Sequence, residues 1–187
     1  QAMRRRRAWT ADREGTLAVL ARLRTALADV IEDTSHHKNF AERVRAAPHA
    51  AALATHLDPR QSELPARSPT QLDQFDLAVL HRRLAEHLEN AGDLRAARAN
   101  IDAAIAWGEA QGRGGDGNTA IWRAIRAGIR QQQGDLKGAL ADITFSIDWE
   151  LKQTSVDEWQ LAVRHSYRAD IRREHGDLAG ALKDITF

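Results

Sequence analysis

Two arginine pairs, Arg126 with Arg130 and Arg168 with Arg172, stand in the same order 42 residues apart, and an aspartate follows each, Asp142 and Asp184. A guanidinium that reaches across two helices to a carboxylate makes two parallel charge-assisted hydrogen bonds. The expected pairs are therefore Arg126 with Asp142 and Arg168 with Asp184, in a structural role. The competing chemistry is a ladder of four cations, Arg126, Arg130, Arg168 and Arg172, that captures an anion.

Other clusters carry less. The stretch GRGGDGN, residues 112–118, has the glycines of a phosphate loop, but a helical pattern precedes it and no lysine follows, so it reads as a flexible loop between two repeats. Eight histidines, His36, His37, His49, His56, His81, His87, His165 and His175, contain no HExxH pattern and no helical i, i+4 pair. They are expected to be solvated or capping, not metal ligands. Arg4 to Arg7 form a terminal charge run that reads as a solvated tail. No nucleophile, base and acid stand together, so neither catalysis nor a cofactor is expected.

The composition favours an all-helical protein. The chain has 187 residues, 43% hydrophobic and 28% charged, and its net charge of +1 offers no global attraction for nucleic acid or an anionic membrane. Alanine, leucine and arginine favour helix over strand. With no cysteine there is no disulfide framework and no thiol nucleophile. No apolar run approaches the ~20 residues that span a bilayer, and the basic start leads to no signal-peptide core. A cytoplasmic location is expected.

The elements that place these residues recur. Gly92-Asp93-Leu94, Gly134-Asp135-Leu136 and Gly176-Asp177-Leu178 are spaced by 42 residues, and Trp107 and Trp149 keep the same register. Before each turn, Ile121, Ile125 and Ile129, then Val163, Tyr167 and Ile171, form helical stripes expected to pack inward. Leu80, Leu84 and Leu88 do likewise in the first unit. After the turn, Leu136, Ala139, Leu140, Ile143 and Ile147 repeat the spacing. Glycine closes one helix in the left-handed conformation, and the aspartate accepts from the free amides of the next. Helices are expected near 69–91, 94–111, 119–133, 136–152, 156–175 and from 178 onward. Ser68 and Ser155 are the expected caps of two of them. Residues 1–67 lack the motif and read as helices over about 10–32 and 39–57, the latter ended or kinked by Pro48, followed by a linker at 58–70.

These residues resemble the tetratricopeptide repeat family over 68–187, with the last of three repeats incomplete. Ala127 and Ala169 stand where that family keeps a small residue in the first helix, Ala97, Ala139 and Ala181 where it does in the second, and Gly-Asp stands at its turn. RAGIRQQQGDLKGALADI and RADIRREHGDLAGALKDI are similar to a bacterial subgroup in finer detail. The resemblance implies an all-α solenoid with residues 1–67 as its N-terminal helical cap. It also implies a concave wall of first helices that binds a peptide or protein segment. By register that wall holds Arg82, Glu86, Glu89 and Asn90, then Ala124, Gly128, Gln131 and Gln132, then Ser166, Asp170, Arg173 and Glu174. The lysine and asparagine clamp of chaperone-binding members has no counterpart.

Trp107 and Trp149 are expected to pack between repeats, while Trp122 and Trp159 lack repeat equivalents and are candidate exposed anchors. An interaction module without catalysis is the expected function. The alternative is a regulatory or sensor part of a larger enzyme or transcription regulator whose effector domain lies elsewhere. Nucleic acid and membrane are disfavoured as partners. Ala181, Leu182 and Ile185 would lack cover if the stack ended there, which suggests self-association or a longer parent chain.

Overall fold

The computed structural model describes residues 48–50, 52 and 74–186, and these are helix and turn with no strand. The protein is all-α in this region. Its two compact units, residues 1–84 and 85–187, divide inside the helix that opens the described stretch 74–186. That helix, α1, runs Gln74–Asn90; α2 is Leu94–Ala110, α3 Gly117–Gln132, α4 Leu136–Glu150, α5 Glu158–His175 and α6 Leu178–Ile185. No described helix is long and apolar enough to cross a membrane.

The Gly-Asp turns are built as chemistry requires. Gly92, Gly134 and Gly176 have φ of 81°, 79° and 89°, the left-handed region in which a Cβ is strained. One residue on, Asp93, Asp135 and Asp177 cap α2, α4 and α6 by accepting from the amides of Ala96, Gly138 and Gly180. At this capped position the first turn has Ala96, with a Cβ, and the other two have glycine. A Cβ on Gly138 or Gly180 would fall 2.3 or 2.0 Å from an oxygen of the capping aspartate. That oxygen leans toward Arg130 in one turn, at 3.5 Å, and toward Arg172 in the other, at 3.7 Å.

Within the second unit each helix packs on the next, α2 on α3 through to α5 on α6. Ala127, Ala139, Ile143, Ile147, Leu161 and Ile171 make a continuous core, with Leu136, Leu140 and Tyr167 at its margin. At α6 the matching face lies open. Ile185 is 69% exposed where its equivalent, Ile143, is 1% exposed, and Leu178 and Leu182 are also exposed.

Several expectations change. Ile129 and Ile171 are buried, but Ile121 and Val163 at the top of the same stripes are 45% and 46% exposed. Trp122 is no exposed anchor: it is 2% exposed and meets Trp107 edge to face at 6.3 Å. The cap of α5 is Asp157, not Ser155; it accepts from Gln160, while its own amide donates to Glu150 Oε1 at 3.1 Å and fixes it there. Residues 112–116 form a built turn: Gly112 has φ of 70°, Asp116 caps α3, and the Thr119 hydroxyl donates to the Arg113 carbonyl. Pro48 is itself helical. The expected helix at 10–32, the linker at 58–70, the Ser68 cap and Arg4 to Arg7 lie outside the described residues.

Candidate functional site

The arginines come first, because their position decides whether an anion can reach them. Arg126 donates through Nε and Nη2 to the two oxygens of Asp142, both at 2.7 Å, and through Nη1 to Asp102 of the preceding repeat at 2.8 Å. Arg130 adds a bond to Asp142 Oδ2 at 2.7 Å and one to the Gly138 carbonyl. In the next unit Arg168 grips Asp184 at 2.9 and 2.6 Å, and Arg172 binds Asp184 and the Gly180 carbonyl. All four guanidiniums are thus engaged by the chain's own acceptors, with Asp142 and Asp184 buried between them. This consumes the ladder that an external anion would need. Burial would lower the pKa of Arg126, but its bonds to Asp142 and Asp102 raise it on balance, while burial and the neighbouring Arg126 and Arg98 lower that of Arg130.

His165 departs from the expectation for a histidine. It is buried, with Nδ1 2.9 Å from Asp184 Oδ1. Burial would raise the Asp184 carboxyl; hydrogen bonds from Arg168 and His165, with the charges of Arg168 and Arg172, hold it below its ordinary range.

A second buried pair had no foreshadowing. Glu150 and Arg164 meet at 2.5 Å between α4 and α5, both nearly inaccessible. Their positions 42 residues earlier are Gly108 and Trp122. There the glycine makes room for the ring: a Cβ on Gly108 would fall 3.1 Å from Trp122 and 2.8 Å from the Thr119 hydroxyl. One interface is filled by glycine and an aromatic ring, and its repeat by an ion pair. A comparison of the repeats at those two positions together would have found it.

The first helices α1, α3 and α5 and the end of α4 enclose an open groove of about 690 Å³. Its floor and sides are aliphatic: Ile121, Ala124, Ile125 and Gly128 from α3, Ile143 from α4 and Val163 from α5. Glu86 and Glu89 stand on the α1 side, Gln160, Arg164 and Tyr167 on the α5 side, and Trp149 and Asp157 also line it. Gly128 has a spatial role here, since a Cβ would lie 2.6 Å from the Tyr167 hydroxyl and 3.2 Å from Glu89 Oε1. Burial and the neighbouring Glu86 push the Glu89 carboxyl up, against the opposing bond from Gln132. Burial, then the charges of Glu89, Glu174 and Asp170, push the Tyr167 hydroxyl up to about 12. The field at this end of the groove is negative.

Of the residues assigned to the wall, Glu86, Glu89, Ala124 and Gly128 line the groove. Others brace its rim. Gln131, Gln132 and Gln133 are successive residues ~100° apart on the helix, and they bind in three directions. They donate to Glu174 of α5 at 2.7 Å, to Glu89 of α1 at 2.6 Å and to the Leu94 carbonyl of α2 at 2.9 Å. Asn90 turns back on the Glu86 carbonyl, and Arg173 lies 3.5 Å from Asp170 on the exposed side of α5. Arg82 is partly buried in α1, and Ser166 is exposed. Trp159, at 74% exposed, is the exposed large aromatic among the described residues. Trp149 has its ring tip where a Cβ on Gly117 would clash, at 2.8 Å, so it packs toward α3.

No family model, curated protein or solved structure matches the chain.

Proposed function

We propose that the described helices are tetratricopeptide-type repeats and serve as an interaction module that holds a peptide or protein segment in the groove of α1, α3 and α5. Two features support the repeat reading. The left-handed glycine and capping aspartate recur in each turn, and Ala85, Ala97, Ala127, Ala139, Ala169 and Ala181 are buried where helices must approach closely.

The observation that carries the binding reading is the pair Ile121 and Val163. Their equivalents deeper in the same helices are buried, yet these two aliphatic side chains stand half in water on facing sides of an apolar depression. Exposed aliphatics gathered in a concavity mark a contact surface. Catalysis is not part of the reading, because Arg164 is engaged by Glu150 and Asp157 serves as the cap of α5.

The test is capture from the source cell with wild-type protein, the double variant Ile121→Asn with Val163→Asn, and Trp159→Glu. A bound protein should be kept by wild type and Trp159→Glu and lost from the groove variant, with all three melting alike. Equal retention by the groove variant would refute the reading.

A further inference from the structure

The shape and chemistry of the groove narrow the class of segment it accepts; this rests on the binding role proposed above. The apolar part is the aliphatic patch of Ile121, Ala124, Ile125 and Val163. The polar part lies beside Gly128. Glu86 and Glu89 approach from α1, and the Tyr167 hydroxyl approaches from α5 with Asp170 and Glu174 near enough to act on it. Of the charged groups that line the groove, Arg164 is paired with Glu150 and Asp157 caps α5, while Glu89 is a carboxylate whose donor is uncharged. At the α5 edge Arg173 is held near Asp170. Glu89 receives its hydrogen bond from an uncharged amide, Gln132 Nε2, and Glu174 likewise from Gln131 Nε2. Negative charge therefore remains on both sides of a depression made open by a glycine.

We infer that the groove selects a basic and apolar segment, one that sets a lysine or arginine between Glu89 and Tyr167 over Gly128 and an aliphatic side chain against Ile121 and Val163. The cation meets the half-buried Glu89 carboxylate, where charge complementarity discriminates between partners more than it adds affinity. An ammonium or guanidinium also accepts the Tyr167 ring and hydroxyl as neighbours. An acidic segment would be repelled by the same groups, at a cost of several kcal/mol for like charges brought together. An arginine or lysine flanked by serines would satisfy the rim and leave the aliphatic floor wet.

Three labelled octapeptides separate these cases: alternating lysine and leucine, glutamate and leucine, and serine and leucine. Fluorescence anisotropy with the full chain should rank lysine-leucine first, weaker binding of serine-leucine by about tenfold, and no binding of glutamate-leucine. Glu86→Gln with Glu89→Gln should bring the lysine peptide down to the serine peptide. Asp170→Asn with Glu174→Gln, changed at exposed positions, should weaken it in the same direction and serves if the first variant melts early. Equal binding of the serine and lysine peptides, abolished by the uncharged change Ile121→Asn with Val163→Asn, would overturn the charge selection and leave the groove as a binding surface. Lysine-peptide binding that survives the Ile121→Asn, Val163→Asn change would place the interaction elsewhere and overturn both. Binding of none of the peptides would overturn the selection alone, since capture from the cell tests the groove without them.

Discussion

Asp184 receives three donors, Arg168, Arg172 and His165, at a position 4% exposed to solvent. Its carboxyl is held below its ordinary value of 3.8, so the folded state favours the ionised form. For a depressed acid the stabilisation is complete above the unfolded value and is lost as pH falls through the folded one. Melting temperature should therefore drop as pH is taken below about 4. In Asp184→Asn, which is already destabilised at neutral pH, that part of the acid slope should be missing. An unchanged acid slope in the variant would show that the carboxylate is not linked to folding. The partners Arg126 with Asp142 and Arg168 with Asp184 could be read from the sequence, because the residue types and the repeat pointed to one geometry. The shared grip by Arg130 and Arg172 could not, because the sequence offered them only as rungs of an anion-binding ladder and not as partners of the same carboxylates. His165 escaped for a related reason: its repeat equivalent is Arg123, which lies over Phe145 at 4.0 Å and bonds Glu109, so the register carried no hint of a buried imidazole.

At the scale of the helix, the turns were the most legible feature. One Gly-Asp dipeptide specifies where a helix stops and the next starts, and α2, α4 and α6 begin where it says. Starts without it were harder to place. Asp116 caps α3 from within a run of glycines, and Asp157 displaces Ser155 because the Glu150 carboxylate, 7 residues before it, holds its amide. The interfaces between helices were legible as apolar stripes but not in their contents. Gly108 with Trp122 and Glu150 with Arg164 solve the same contact in two ways, and this leads to an exchange experiment. Either single change, Glu150→Gly or Arg164→Trp, should cost about 3–5 kcal/mol, since each leaves one buried charge without its partner. The double change grafts the first interface onto the second and should recover stability, a coupling that denaturant melts of the four proteins measure. Strict additivity would mean the two interfaces are not equivalent.

For the molecule as a whole, helical class and period followed from composition and spacing. The groove did not, because its existence depends on two residues leaving the stripe to which their spacing assigns them. Ile121 and Val163 have the periodicity of core positions, yet they line the open groove and stay in contact with solvent. The tryptophans misled in the opposite direction. Trp122 looked like an anchor and instead fills the space over Gly108, which leaves the aliphatic groove and its acidic side as the surface to be tested. Site-specific photocrosslinking in the source cell addresses that surface most directly. A photoreactive residue placed at Val163, in the groove, is compared with one at Lys137, exposed on α4. The account predicts a discrete crosslinked protein from position 163 and none from position 137; crosslinks of equal yield from both, or from 137 alone, would contradict it.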